Sequence, residues 1–513
     1  MCIFVNMTQI HIFSLASPLH SEVIPSAAGD RFIKDIAALG KVEFVFHDDF
    51  SEWGTSPGRE VLYIRTGGTE GLFLKTFFSS VIPSPPSVIS SAPSVISSAP
   101  SVISSEVEKS SSFAPSVIPS PEGARESPRF TLLTSGESNS LAASMEILSF
   151  LRLRGIPGEI IHGTPADVAA VMTALNGEQI SPRASLGRND IPIAPAAVMP
   201  DPDRASTALP VFPVAGAARL LEGVRLGVVG RPSDWLISSD VDYAKAREKF
   251  GVEIIDVPMD ELLAEIRAGG FSIPDAIRLN PLNVPRFGAP FAAGDFDKAL
   301  EVYGALSRIV KKYGLQGLTL RCFDLLGTVG TTGCMALAIL NAEGITATCE
   351  GDVPAMVTMA IAKRLAGTSG FQVNLSRIRD GRFLFAHCTV PLDIVKSYCY
   401  DRHFESGIGV AVHGEFAEGP VTLFKVGAGM DRFFVAEAFL ESNPYDKNLC
   451  RTQVVLQPDM PAPAAVASSS ATAAPSHAEP ATANLAAYFL REPLGNHHVI
   501  IPGRHAAAIK RKM

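Results

Sequence analysis

The chain has 513 residues, of which 47% are hydrophobic and 19% are charged, a balance that excludes a wholly disordered chain. Lysine and arginine number 44 against 52 aspartates and glutamates, which gives a formal net charge of -8. Such a surface repels phosphate backbones and anionic lipids, so we expect neither nucleic acid nor membrane as a partner. No apolar run reaches the roughly 18 residues of a transmembrane helix.

The seven cysteines of the chain include no Cys-x-x-Cys pair. This pattern favours reduced, buried thiols in a cytoplasmic protein over a disulfide framework or a zinc cluster. The N-terminus lacks a basic segment before its apolar residues, so we expect no signal peptide and a translation start at Met1 or Met7.

Residues 1–175 are predicted to form an N-terminal α/β domain, with a first strand where polar and apolar residues alternate at 9–15. A low-complexity insertion at 80–129 interrupts this domain, and in it the unit Ser-Val-Ile-Ser-Ser-Ala-Pro recurs with a period of seven. Proline in each unit excludes a helix, so we expect the insertion to be disordered. The apolar runs 60–64 and 130–133 on its two sides are typical of buried strands.

The rest of the chain divides into a linker and two further domains. Residues 176–217 are rich in Pro, Ala and Asp and are predicted to be a linker. Strands and helices alternate over 218–370, which predicts a second α/β domain with a doubly wound parallel sheet. Beyond Gly370, strand-like runs are separated by Gly and Asp, so we expect a β-rich C-terminal domain at 371–513 with a low-complexity insertion at 461–482.

Two carboxylates follow a predicted strand at 345–349 in the central domain. Glu350 and Asp352 are separated by one glycine and precede an amphipathic helix predicted over 353–366. Because parallel sheets bind ligands beyond the carboxyl ends of their strands, these side chains suit a metal ion or a proton transfer. The alternative is that both only favour the helix N-terminus electrostatically.

Histidines supply the other candidate ligands. His497 and His498 are adjacent at the start of an apolar run, so in a strand they point to opposite faces and one of them can serve a site. An imidazole with a carboxylate suits a divalent ion such as Mn²⁺. His387 ends another predicted strand. The alternatives are that His497 and His498 are a pair on the surface, and that His387 is buried with its hydrogen bonds made inside the protein.

The chain resembles the L-fucose/L-arabinose isomerase superfamily, most closely its L-fucose isomerase-like members. The matching segments are Cys349-Glu350-Gly351-Asp352-Val353-Pro354-Ala355, Ala386-His387-Cys388-Thr389 and Gly495-Asn496-His497-His498-Val499, together with 134–143 and 230–236. The resemblance implies two α/β domains followed by a β-rich domain, assembly into a homo-oligomer (trimer or hexamer), and Mn²⁺-dependent interconversion of aldoses and ketoses.

The resemblance also implies site residues. The family's metal ligands are a Glu, an Asp and a His, which correspond here to Glu350, Asn374 and His497, with His498 open as the alternative histidine. Asn374 departs from the family because an amide offers a neutral oxygen and is a poor proton acceptor. Asp352 or His387 is therefore expected to take over proton transfer.

Two further residues are expected to contact the substrate. His498 is expected to orient sugar hydroxyls, and Arg451 is a candidate for substrate binding because a phosphorylated sugar would need a basic pocket. The leading hypothesis is a metal-dependent aldose–ketose isomerase in which Glu350 moves the proton between C1 and C2 of an enediol. The alternatives are a related epimerase or lyase and a non-catalytic sugar-binding homologue, which Asn374 favours.

Overall fold

The computed structural model describes residues 8–17, 26–39, 42–55, 59–78, 130–177, 209–273, 291–292, 294–458 and 478–513. The predicted insertion at 80–129 lies outside these residues. Within them the chain forms two parallel sheets and one antiparallel sheet, together with a two-stranded hairpin. This arrangement confirms the predicted fold class of two α/β units followed by a β-rich unit.

The first sheet has five parallel strands in the order β2-β1-β3-β4-β5. The strands are β1 Thr8–Leu15, β2 Val42–His47, β3 Arg59–Ile64, β4 Phe130–Thr134 and β5 Gly158–His162. The helices are α1 Arg31–Ala38, the short α2 Glu70–Leu72 with the π-helical turn Phe73–Phe78, α3 Ser140–Leu153 and α4 Pro165–Gly177. Strands β4 and β5 are buried at every residue, as expected for a sheet covered on both faces.

The second sheet has four parallel strands in the order β10-β9-β7-β8. Its strands are β7 Arg225–Val229, β8 Glu253–Val257, β9 Gly317–Leu320 and β10 Thr346–Cys349. Its helices are α5 Tyr243–Phe250, α6 Met259–Ala268, α7 Asp295–Tyr313, α8 Asp324–Thr328, α9 Cys334–Ala342 and α10 Val353–Ala366. Helix α10 begins and ends at the residues predicted from its apolar periodicity, because Asp352 caps its first turn and Gly367 ends it.

The third sheet is a closed antiparallel barrel of six strands. Its order is β15-β18-β11-β12-β17-β16, and the additional pairing of β15 with β16 closes it. The strands are β11 Phe371–Arg379, β12 Arg382–His387, β15 Gly419–Val426, β16 Arg432–Ser442, β17 Thr452–Pro458 and β18 His498–Pro502, while β13 Ser397–Asp401 and β14 Ala411–Glu415 form the hairpin. Helices α11 Ala478–Arg491 and α12 Ala506–Lys512 complete this part of the chain.

Two ranges differ from the sequence-based boundaries. Strand β6 (Val211–Pro213) falls inside the predicted linker, yet it pairs with β16 at the edge of the barrel, where Phe212 packs on Phe433. Helix α11 begins inside the range assigned to the second low-complexity insertion. At β6 a short apolar stretch pairs with a strand that is distant in sequence, which composition alone does not reveal.

Two helices join the three sheets. Helix α3 is buried on all sides and contacts β4 of the first sheet and β11 of the barrel. Helix α10 contacts β9 and β10 of the second sheet and β15 and β18 of the barrel. The carboxyl end of β10 is thereby held beside the barrel. Among the described helices, none has the length and apolar content needed to cross a membrane.

Candidate metal centre and cavity

Glu350 occupies a sharp turn at the carboxyl end of β10. Its φ is 66°, in the left-handed region that non-glycine residues seldom adopt. Gly351 follows with a φ of 70°, and a Cβ there would lie 2.4 Å from the Arg231 carbonyl oxygen, so this position accepts only glycine. An unusual backbone conformation costs about 1–3 kcal/mol and is typical of functional sites. The turn directs the Glu350 side chain towards the barrel.

The Glu350 carboxylate has one oxygen fixed and one facing two imidazoles. The Trp235 Nε1–H donates a hydrogen bond to Oε2 at 2.7 Å. Oε1 lies 3.4 Å from His497 Nε2 and 3.6 Å from His387 Nε2. Neither Nε2 atom makes a hydrogen bond, although both histidines are buried. Two imidazole nitrogens and a carboxylate oxygen therefore converge on one point.

The barrel brings these histidines together at one end of three neighbouring strands. His387 is the last residue of β12, His497 immediately precedes β18, and β11 lies between those strands. Asn374 on β11 pairs with Ala386, the neighbour of His387. Its Oδ1 is buried and has no hydrogen-bond partner. Three side chains, those of Asn374, His387 and His497, thus share one end of the barrel.

The other nitrogen of each imidazole is held by a neighbour. His497 Nδ1 donates to Asp352 Oδ2 at 2.8 Å, and His387 Nδ1 pairs with the Thr389 hydroxyl at 2.9 Å. Asp352 Oδ1 in turn accepts from the Ala355 backbone N–H at 2.6 Å. Such partners fix the orientation of metal-binding imidazoles and leave Nε2 for the ion. Asp352 is fully buried behind His497 and orients this imidazole.

Glu350 and His497 strongly shift each other's pKa. Burial alone would raise the pKa of the Glu350 carboxyl, but His497 and His387 outweigh it and hold the pKa well below its usual range. Burial alone would lower the pKa of His497, but Glu350 and Asp352 outweigh it and raise the pKa to about 10. A metal ion at His497 Nε2 would therefore compete with a bound proton.

The donor set fits a divalent cation. Ligand atoms of Glu350, His387 and His497 all lie within 4.8 Å of one another. The Asn374 amide oxygen is a further buried oxygen without a partner in the same cavity. Imidazole nitrogens with carboxylate and amide oxygens suit a divalent metal ion. The buried, unpartnered nitrogens and oxygen are the observation that supports this fit.

These residues line a cleft of about 740 Å³, part of which is open to solvent. All three sheets contribute to its walls. The lining residues are Gly67, Gly68, Glu70, Asn139, Ala142, Ala143, Trp235, Phe323, Cys334, Cys349, Glu350, Asn374, His387, Cys388, His403, Glu405, Cys450 and Asn496. The first sheet provides residues that follow the carboxyl ends of β3 and β4, where ligands bind in parallel sheets.

The structure places His498 away from this cleft. Its Nδ1 pairs with the Asn496 carbonyl oxygen at 2.9 Å and its Nε2 with the Tyr488 hydroxyl at 2.8 Å. Its ring packs against Phe434 and Phe489, and burial lowers its pKa to about 3. The predicted contact of His498 with sugar hydroxyls has no support in this geometry, because both ring nitrogens are occupied inside the core.

Arg451 is likewise absent from the lining. Its Nε donates to the Arg402 carbonyl oxygen at 2.6 Å and lies 3.5 Å from Asp401 Oδ2. Its Nη1 donates to the Lys447 carbonyl oxygen at 3.1 Å. The guanidinium joins two loops of the β-rich unit, so the predicted role in substrate binding is not supported either.

Several lining residues were not singled out from the sequence. Trp235 and Asn139 fall inside matched segments of the family resemblance, but neither had an assigned role. Glu70 and Glu405 carry no local signal, since each is an isolated glutamate in a loop or short helix. Their place at the cleft depends on contacts between sheets, which a single sequence does not display.

Four thiols also line the cleft, at Cys334, Cys349, Cys388 and Cys450. A fifth, Cys322, lies behind Cys349 with its Sγ 2.8 Å from the Cys349 Sγ. All five are buried and free. The buried cysteines expected from the sequence therefore form part of one wall of the site.

Comparison with known proteins gives a partial match. No family model matches the chain. The sulfoquinovose isomerase of Clostridium sp. (strain MSTE9) is 30% identical over 179 residues, which are 32% of this chain and 38% of that protein. The matched region thus spans well under half of either protein. The chain is similar, over this part of its length, to a sugar isomerase.

Proposed function

We propose that this protein is a metal-dependent isomerase that interconverts an aldose and the corresponding ketose. The observation that carries the proposal is the convergence of Glu350, His387 and His497 on one point of a cleft between the sheets. The partial similarity to a sugar isomerase supports the same reaction class. The family resemblance adds Mn²⁺ as the metal, a homo-oligomer as the assembly and the cytoplasm as the location.

Glu350, His387, His497 and the Asn374 amide would hold the ion. A divalent ion held there would supply Lewis-acid polarisation of the sugar carbonyl. Asp352 holds His497 in the orientation this requires, through the Nδ1 hydrogen bond at 2.8 Å. Asp352 thus acts by positioning His497 and not by exchanging protons with the sugar.

Glu350 is the proton-transfer group of the proposal. Its low pKa keeps the carboxylate ionised, and Trp235 fixes the plane of the carboxylate through Oε2. The carboxylate takes the proton from C2 of the open-chain aldose and returns it to C1, while a second proton moves from O2 to O1 of the enediol. Asn374 takes no part in these transfers, because an amide is not a proton acceptor at neutral pH.

The test is proton exchange at C2. Metal is stripped with EDTA and Mn²⁺ is restored, and fucose, arabinose, rhamnose, xylose and ribose are followed by NMR in D₂O. We expect Mn²⁺-dependent deuterium uptake at C2 with formation of ketose from at least one sugar. Glu350→Gln should abolish the exchange, whereas Glu441→Gln, at an ion pair with Arg382 on the barrel surface, should not. Exchange that persists in Glu350→Gln would remove Glu350 from the mechanism.

A further inference from the structure

Two cysteines lie in contact directly behind the turn that carries Glu350. Cys349 is the last residue of β10, and Cys322 lies in the loop that follows β9, the neighbouring parallel strand. Their Sγ atoms are 2.8 Å apart, and each residue is only 3% exposed. The sulfurs of a disulfide lie about 2.0 Å apart, so a movement of less than about 1 Å separates these thiols from a covalent bond. We call these two residues the thiol pair.

A small molecule in the cleft can reach the thiol pair. The Cys349 side chain lines the cleft beside Glu350, and Cys322 lies behind it. Both thiols are free. A cysteine thiol is oxidised first to a sulfenic acid, which condenses with a second thiol where one lies within reach. An oxidant small enough to enter the cleft therefore contacts Cys349 first, with Cys322 in position to complete a disulfide.

The thiol pair is connected to Glu350 by two routes. Cys349 precedes Glu350 directly, at the turn where the φ of Glu350 is 66°. Cys322 precedes Phe323, whose ring packs edge-on against Trp235 with the ring centroids 5.0 Å apart. Trp235 in turn donates the hydrogen bond that fixes Glu350 Oε2. A movement of either cysteine is therefore expected to displace the Glu350 carboxylate.

The backbone of Cys349 has little freedom to absorb a new bond. Its N–H donates to Gln372 Oε1 on β11 at 2.7 Å. Its carbonyl oxygen accepts from Gln372 Nε2 and from the Asp352 N–H, each at 3.3 Å. Closing the bond should therefore move the loop that carries Cys322 and Phe323 more than it moves β10. This movement changes the packing of Phe323 on Trp235.

We propose that Cys322 and Cys349 are a site of reversible oxidation, at which a hydroperoxide converts the two thiols into a disulfide that weakens metal binding at Glu350. The disulfide itself is independent of the proposed function, whereas its effect on metal binding rests on the metal centre of that proposal.

The reaction has two steps. The Cys349 sulfur attacks one oxygen of the peroxide, the O–O bond breaks, and a sulfenic acid forms with release of water or an alcohol. The Cys322 sulfur then attacks the Cys349 sulfur, and the S–O bond breaks with release of water. The two thiols lose two electrons and two hydrogens in total, and the peroxide is reduced.

The surroundings of Cys349 indicate a slow reaction. Hydrogen bonds with Cys322 and Cys334, together with burial, raise the pKa of the Cys349 thiol. Because the thiolate is the nucleophile, we expect oxidation over minutes to hours and not over seconds. The thiol pair would therefore respond to sustained exposure to peroxide.

The experiment follows the disulfide and metal binding separately. The full chain is incubated with hydrogen peroxide, and the linkage is identified by mass spectrometry of peptides digested without reduction. Mn²⁺ affinity is then measured by EPR titration before and after treatment with dithiothreitol. We expect a linkage between Cys322 and Cys349 and a fall in Mn²⁺ affinity of about tenfold or more, as for the loss of a group that orients a metal ligand. Dithiothreitol should restore the affinity.

One variant removes the resolving thiol and a second is its control. Cys322→Ser cannot form the linkage, so peroxide should cause no loss of Mn²⁺ affinity that dithiothreitol reverses. Cys399→Ser, on the separate strand β13, should respond to peroxide like the wild type. The two variants differ in whether the removed thiol contacts Cys349.

Oxidised protein without a linkage between Cys322 and Cys349 would overturn the inference. A linkage that leaves Mn²⁺ affinity unchanged would also overturn it, and so would a reversible loss of affinity that persists in Cys322→Ser. Reduced wild-type protein that binds no Mn²⁺ would reject the proposed function and, with it, the effect on metal binding. The linkage would still be decided by the peptides.

Discussion

Asn374 is the residue at which this site departs most clearly from the isomerases that the sequence resembles. Its amide oxygen is buried at the cleft without a hydrogen-bond partner, beside the strand that ends in His387. An amide contributes a weaker metal ligand than a carboxylate, because it carries no charge. A metal ion held in this cleft would therefore depend on Glu350 and the two histidines for most of its affinity.

Replacing Asn374 by Asp tests this dependence. We expect Asn374→Asp to bind Mn²⁺ about tenfold or more tightly, since a buried carboxylate gains a favourable interaction with the cation. Affinity is measured by titration with Mn²⁺ followed by EPR, with Asn448→Asp at an exposed position as the control. An unchanged affinity in Asn374→Asp would show that this side chain is not a ligand.

At the scale of single elements, His162 shows how a strand end joins two sheets. It ends β5, its Nδ1 donates to the Thr134 carbonyl oxygen at 3.1 Å, and its Nε2 accepts from the Ile378 backbone N–H at 3.0 Å. Ile378 belongs to β11, so this ring joins the first sheet to the barrel. Burial lowers its pKa to about 4.

This contact predicts a pH dependence of stability. The pKa of His162 is lower in the folded protein than the value of about 6.5 for an unfolded chain, so folding favours the neutral ring. Its contribution is complete above about pH 6.5 and is lost as the pH falls towards 4, by up to about 3 kcal/mol. In urea unfolding between pH 7 and 4, His162→Gln should lose less stability than the wild type, with His505→Gln as the control. Parallel curves for His162→Gln and wild type would contradict this.

Most elements could be predicted from the sequence, because their signals are local. Helix α10 has a cap, an apolar period and a terminal glycine, and β10 alternates threonines with small apolar residues before Glu350. The closure of the barrel could not be predicted, since it depends on β15 pairing with both β16 and β18. Glu350 and His497 could likewise be identified from their local motifs. The burial of His498 and the position of Glu405 could not, because both depend on contacts between residues that are distant in sequence.

At the scale of the whole molecule, Glu146 joins all three structural units. It lies on α3, is fully buried, and its Oε1 accepts from the Ser238 backbone N–H at 2.7 Å. Its Oε2 accepts from the Asn496 backbone N–H at 2.9 Å, next to His497. The side chain thereby holds a loop of the second sheet and the start of β18 against the first unit.

Removing this carboxylate should affect both stability and the site. We expect Glu146→Ala to lower the free energy of unfolding by about 3 kcal/mol, because two buried backbone donors lose their acceptor. Mn²⁺ affinity should also fall, since the segment carrying His497 loses its support. Glu146→Gln keeps one acceptor oxygen and should lose less in urea unfolding. Wild-type stability and Mn²⁺ affinity in Glu146→Ala would show that the three units are held together by other contacts.

In the proposed site, one divalent ion binds between the barrel and the second sheet, on Glu350, His387 and His497. Pulsed EPR of the Mn²⁺-loaded protein tests it most directly, because nitrogen coupling reports directly bound imidazoles. We expect coupling to two histidine nitrogens, with His387→Gln and His497→Gln each removing one of them. Bound Mn²⁺ without nitrogen coupling, or with coupling that both substitutions leave unchanged, would show that these histidines do not bind the ion.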